Sequence, residues 1–237
     1  MLSMRKIPII SGEIYHVCNR GVDHRKIFID EEDYYRFIHD LFEFNDENSV
    51  INVNYFFNNK SAQSMDTRRP YIGPRKILAE ILAFSLMPNH YHLLIKPKTD
   101  AGGSELMKKI NGGYARYFNN KYQRQGALFQ GRYKAVLIEN ESHFIHIPYY
   151  IHANPLDMVA PGWREGKIVD HKKALEFLEN YRWSSFPDYI EKKNFPSVTQ
   201  RNLLLDISGG ESKYKKHFTE WLHHMDVKSF NELTLEN

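Results

Sequence analysis

A single cysteine, Cys18, is present in 237 residues. One thiol excludes intramolecular disulfides and cysteine-rich zinc sites, and the simplest compartment is a reducing cytoplasm. Cys18 itself is expected to act as a buried small hydrophobe. No apolar run reaches the ~20 residues that a membrane-spanning helix needs, so a soluble, unexported protein is expected. The sequence also lacks a P-loop, an internal repeat and a low-complexity linker. One absence is local: Leu106 to Ile138 contains no Asp or Glu. The net charge of +3 decides little, and its distribution matters more.

What is present can build a core, with 42% hydrophobic residues including fifteen Tyr and fifteen Phe. Glu13 to Asn19 reads as a strand closed by a turn at Asn19-Arg20-Gly21. Asp30 is placed to cap a helix over Glu31 to Phe44, where Tyr34, Phe37, Ile38, Leu41 and Phe44 recur on one side. Ile77 to Met87 and His90 to Lys96 read as a hairpin turning at Pro88-Asn89, with Tyr91, Leu93 and Ile95 on the far face. A helix starts near Ser104, in which Gly112 and Gly113 either weaken it or permit close backbone approach. Another covers Glu141 to Ala153, where Pro148 predicts a kink or a late start and Asn154-Pro155 a stop. Further helices are expected near Lys172 to Tyr181 and Tyr214 to Met225. Val50 to Phe57, inside a polar stretch, reads as a strand or as part of the neighbouring core. Strands alternating with helices in this order favour an α+β arrangement, helices against an antiparallel sheet.

Several residues could carry chemistry. On a strand, His90 and His92 project from one face, where both imidazoles can bind one divalent ion. The plain reading of such a pair is two strand residues satisfied by hydrogen bonds. Tyr150 and Asn154 lie four apart and share a helix face, joining a phenol nucleophile to an amide oxygen suited to a hard cation. Their plain reading is a core tyrosine and a helix-ending asparagine. Tyr149 points about 100° away. Lys108, Lys109, Arg116, Lys121, Arg124, Arg132 and Lys134 give the acid-free stretch a charge of +7. Interleaved with Tyr114, Tyr117, Phe118, Tyr122, Phe129 and Tyr133, they could contact phosphates and stack on bases. Equally, they could form a solvated face above an aromatic core.

Three motifs, read in order, are Met87-Pro88-Asn89-His90-Tyr91-His92-Leu93-Leu94, Gly126-Ala127-Leu128-Phe129-Gln130-Gly131-Arg132-Tyr133-Lys134 and Tyr150-Ile151-His152-Ala153-Asn154-Pro155. With Tyr15 to Gly21 before them and Tyr181 to Ser185 after them, the chain resembles the REP-associated subgroup of the single-tyrosine HUH, IS200-like transposases. The resemblance implies a ferredoxin-like α+β catalytic domain over 1–190, with an insertion at 45–76, and a helical C-terminal extension over 191–237. It implies cutting and rejoining of single-stranded or hairpin DNA through a covalent 5′-phosphotyrosine, with Mg²⁺ or Mn²⁺ as cofactor. Carried over by position, Tyr150 is the nucleophile, and His90, His92 and Asn154 hold the metal. The seven cations, read from the charge pattern itself, are expected to bind DNA. A monomer or homodimer is expected, with no membrane.

Two other readings stay open. In one, a hydrolytic metallonuclease uses metal-bound water and Tyr150 is structural. In the other, the protein is a catalytically silent binder of hairpin or single-stranded DNA. His152 could contact DNA or stabilise structure, His146 could face the site from one turn before Tyr150, and Asn19 and Arg20 could reach DNA or serve the turn. His223-His224 receives no metal role.

Overall fold

The computed structural model describes residues 9–48, 75–225 and 234–235, without the side chains of Glu141 and Ser142. Four strands, β1 (Tyr15–Arg20), β2 (Ala79–Met87), β3 (His90–Pro97) and β4 (Lys134–Leu137), form one antiparallel sheet in the order β2-β3-β1-β4. Helix α1 (Glu31–Glu43) joins β1 to β2, and α2 (Gly102–Lys121) joins β3 to β4. Each crossover therefore leaves room for one strand of the other unit, the split arrangement of a ferredoxin-like α+β fold. The strand expected over Val50 to Phe57 and most of the 45–76 insertion lie outside the described residues.

Local chemistry fixes these elements. Asp30 and Asp33 form a reciprocal capping box that starts α1. The two-residue turn Pro88-Asn89 closes the β2–β3 hairpin by pairing Met87 with His90. Its carbonyls accept from Ile27, Phe28 and Gly21, which pins the start of β3 to the loop after β1. One face of the sheet carries Tyr15, Val17, Tyr91, Leu93 and Ile95, buried under α1 and α2. The other face, with Leu94 and Ala83, is covered by α3 (Glu141–Ala153) and by the C-terminal α4 (His171–Asn180), α5 (Asn202–Ser208) and α6 (Glu211–His224). α3 runs without interruption through Pro148. No helix among the described residues is long and apolar enough to cross a membrane.

The outer edge of β2 is closed by the chain after α4. Leu86 N donates to Trp183 O at 2.9 Å, Ser185 N to Phe84 O at 3.0 Å, and Gln200 N to Ile81 O at 2.9 Å. Phe84 N in turn donates to Ser185 Oγ at 2.9 Å, so side chain and backbone together replace a fifth strand.

Candidate active site

β3 is an inner strand, and His90 and His92, alternate residues on it, both leave the sheet on the face that α3 covers. Their ring centroids are 5.1 Å apart and the rings nearly perpendicular. Cross-strand partners share a face, so Ser85, His92, Cys18 and Lys134 form one row, and Met87, His90 and Arg20 the next. His16, two residues before Cys18, stacks on His92 with centroids 4.9 Å apart and Nε2 2.7 Å from His92 Nδ1. His90 Nδ1 lies 2.6 Å from Asn89 Oδ1.

α3 brings the phenol to this face. The Tyr150 ring is 6.1 Å from His92 and 6.2 Å from His16, edge-on to both, and is fully buried. Asn154, one turn later at the C-cap, donates through Nδ2 to Tyr150 O at 2.8 Å. The short turn Trp163–Glu165 then returns over the phenol. Arg164 Nη2 donates to Asn154 Oδ1 at 2.9 Å, and its Nε to the Tyr150 hydroxyl at 3.4 Å. Asp157 holds the same guanidinium in an ion pair and accepts from Trp163 Nε1 at 2.6 Å. The Trp163 ring sits 5.6 Å from that of Tyr150.

Residues 74–154, which contain His90, His92, Tyr150 and Asn154, match the family model described as transposase IS200 like. That segment is similar to the IS200-like transposases. The similarity supports transposase-type DNA processing. A comparison with curated proteins returns no match. A solved structure, described as a REP-associated tyrosine transposase bound to a REP hairpin, is similar over 84% of this chain and 90% of its own, at 15% identity and a TM-score of 0.48.

Within the IS200-like segment, the donor chemistry suits a divalent ion in part. Both imidazoles have Nδ1 engaged, by His16 and by Asn89, so Nε2 is the nitrogen that would face a cation, and both Nε2 atoms are buried. Asn154 Oδ1 is a suitable hard oxygen, and in this structure it accepts from the Arg164 guanidinium. Among the described residues, no group of three or more His, Cys, Asp or Glu is placed to hold a metal ion.

The seven cations of the acid-free stretch do not share one surface. α2 packs on the face opposite the histidines, which puts Lys108, Lys109, Arg116 and Lys121 in the other layer. Lys121 reaches Asp30 at 2.8 Å, Asp33 at 2.9 Å and Glu32 at 3.1 Å, tying the end of α2 to the start of α1. These partners raise its pKa despite partial burial. Lys109 pairs with Glu105 at 2.9 Å, and Arg124 donates to Asn119 at 2.9 Å. Tyr114 and Phe118 belong to the core. Lys134 is exposed and stands in the row of His92, with exposed Arg132 just before it.

Other side chains are turned elsewhere. Tyr149 packs on Tyr214, Phe218 and Trp221 of α6. His152 is fully buried between Ser185 Oγ at 2.8 Å and the Tyr214 hydroxyl at 2.9 Å, and burial pushes its pKa down to about 3. His223 stacks on His171, with centroids 4.1 Å apart. Sequence reasoning missed His16, Asp157 and Arg164. Strand alternation from Cys18 could have put His16 on the Cys18 face. Asp157 and Arg164 lie in a loop whose path no periodicity gives.

Proposed function

We propose that this protein nicks and rejoins single-stranded or hairpin DNA, with Tyr150 as nucleophile. The observation that carries the reading is the juxtaposition of Tyr150 with His92 at 6.1 Å, within the segment that matches the IS200-like model. The phenol oxygen attacks the scissile phosphorus, the bond to the 3′-oxygen breaks, and a 3′-hydroxyl leaves while DNA stays linked through a 5′-phosphotyrosine. Attack by another 3′-hydroxyl reverses the step, so rejoining needs no nucleotide cofactor. His90 and His92, joined by Asn154, would hold Mg²⁺ or Mn²⁺, whose chemistry is polarisation of the scissile phosphate. His16 and Asn89 fix the two rings, and Arg20 and Lys134 line the approach on the same face.

The test is incubation of single-stranded oligonucleotides, drawn from the DNA flanking its own gene, with protein and Mn²⁺, followed by denaturing electrophoresis. A protein–DNA adduct should form with wild type and vanish in Tyr150→Phe. Full burial of Tyr150 favours the second reading, a hydrolytic nuclease with a structural tyrosine. Cleavage at full rate by Tyr150→Phe would establish that reading instead.

A further inference from the structure

We infer that Arg164 receives the scissile phosphate, and that phosphate arrival exchanges its guanidinium off Tyr150 and Asn154. The inference rests on Tyr150 being the nucleophile. Three observations point to it. The guanidinium bridges the two polar groups expected at the reacting centre, the Tyr150 hydroxyl at 3.4 Å and Asn154 Oδ1 at 2.9 Å. Tyr150 and Asn154 are fully buried, whereas the Arg164 side chain keeps 23% of its surface exposed. A phosphate coming from solvent therefore meets the guanidinium before it meets the phenol. Lastly, Trp163 is fully buried and bonded to Asp157, so the turn is anchored and the exchange is a movement of the arginine side chain.

The exchange has a direction set by chemistry. The bond to the neutral hydroxyl is long, and a phosphate oxyanion offers the planar guanidinium two charge-assisted bonds in its place. In turning to the phosphate, Arg164 uncovers the phenol oxygen and releases the Asn154 amide oxygen. The same movement thus brings the substrate, clears the nucleophile and opens a ligand position. Asp157 stays paired to one edge of the guanidinium and limits how far it swings.

Full-length wild type, Arg164→Gln and Arg164→Lys would be compared on one fluorescent single-stranded oligonucleotide, with thermal melts confirming the fold. Binding is read first, by anisotropy across salt concentrations. Arg164→Gln should reduce the slope of log K against log salt by roughly 0.7, the share of one phosphate contact on a single strand. Adduct formation at saturating DNA is read second, and should slow by about 10²-fold in Arg164→Gln, the scale of losing one fixed transition-state donor. Arg164→Lys should keep the salt slope and recover only part of the rate, because it keeps the charge but not the fork. Added guanidinium ion should raise the Arg164→Gln rate above sodium chloride at equal ionic strength. An unchanged slope, an unchanged rate or a faster Arg164→Gln would overturn the inference, the last by making Arg164 a mere lock. Tyr150→Phe run in parallel separates the two ideas: if it loses the adduct while Arg164→Gln behaves as wild type, only the role of Arg164 falls.

Discussion

At the scale of the residue, His16 ties the histidine pair to the rest of the sheet. A ligand imidazole is oriented by what its other nitrogen touches, and His92 Nδ1 touches His16 at 2.7 Å. His16→Ala should weaken Mn²⁺ binding by about 10- to 100-fold, the usual effect of removing such a partner. Titration of the free Mn²⁺ paramagnetic resonance signal reads it, and an unchanged isotherm removes His16 from the site. His90 and His92 were legible in the sequence because the strand period alone puts both on one face. Their neighbour was not, since His16 lies 76 residues earlier and meets His92 only through the β1–β3 register. Tyr150 and Asn154 were legible for the matching reason, the helix period. Arg164 was not, because a loop carries it back over the phenol.

Elements show the same division between local and long-range signals. α1 begins at Asp30 and α3 ends at Asn154 as the capping and stop residues predict, since those signals are spelled within one turn of chain. β4, four residues long, and α5, seven long, escaped, because each is held by pairing or packing with distant chain. The glycine pair of α2 is resolved by its surroundings. A Cβ on Gly112 would meet nothing within 4 Å, whereas on Gly113 it would lie 2.3 Å from Phe44 Cε2. Gly113 thus lets α1 and α2 approach, and Gly112 only lowers helix propensity. Gly112→Ala should stabilise the protein by about 0.5–1 kcal/mol. Gly113→Ala should destabilise it by about 1 kcal/mol, the low end of overpacking, since the ring edge of Phe44 can give. Urea unfolding of the two variants checks the opposite signs.

The whole molecule is joined through His152, which connects α3 to Ser185 beside the sheet edge and to Tyr214 of α6. The helical region expected as an extension therefore shares its core with the helix that carries Tyr150. Burial lowers the His152 pKa to about 3, against about 6.5 in an unfolded chain. Between those values the unfolded state binds a proton that the folded state refuses. Stability from this group is thus complete above about pH 6.5 and is lost as pH falls toward 3, with a slope approaching about 1.4 kcal/mol per pH unit. Urea midpoints measured across that window should fall in wild type, and His152→Gln should flatten the decline. A parallel decline in the variant would assign the acid sensitivity to other groups.

Closure of the β2 edge also sets an order of events during synthesis. Phe84 finds its partner Ser185 only 101 residues later in the chain. At a ribosomal pace of about 5–20 residues per second, the edge of β2 stays unpaired for roughly 5–20 seconds after it emerges. During that interval the nascent chain carries an unpaired edge, which Trp183 and Ser185 cover first and Gln200 last.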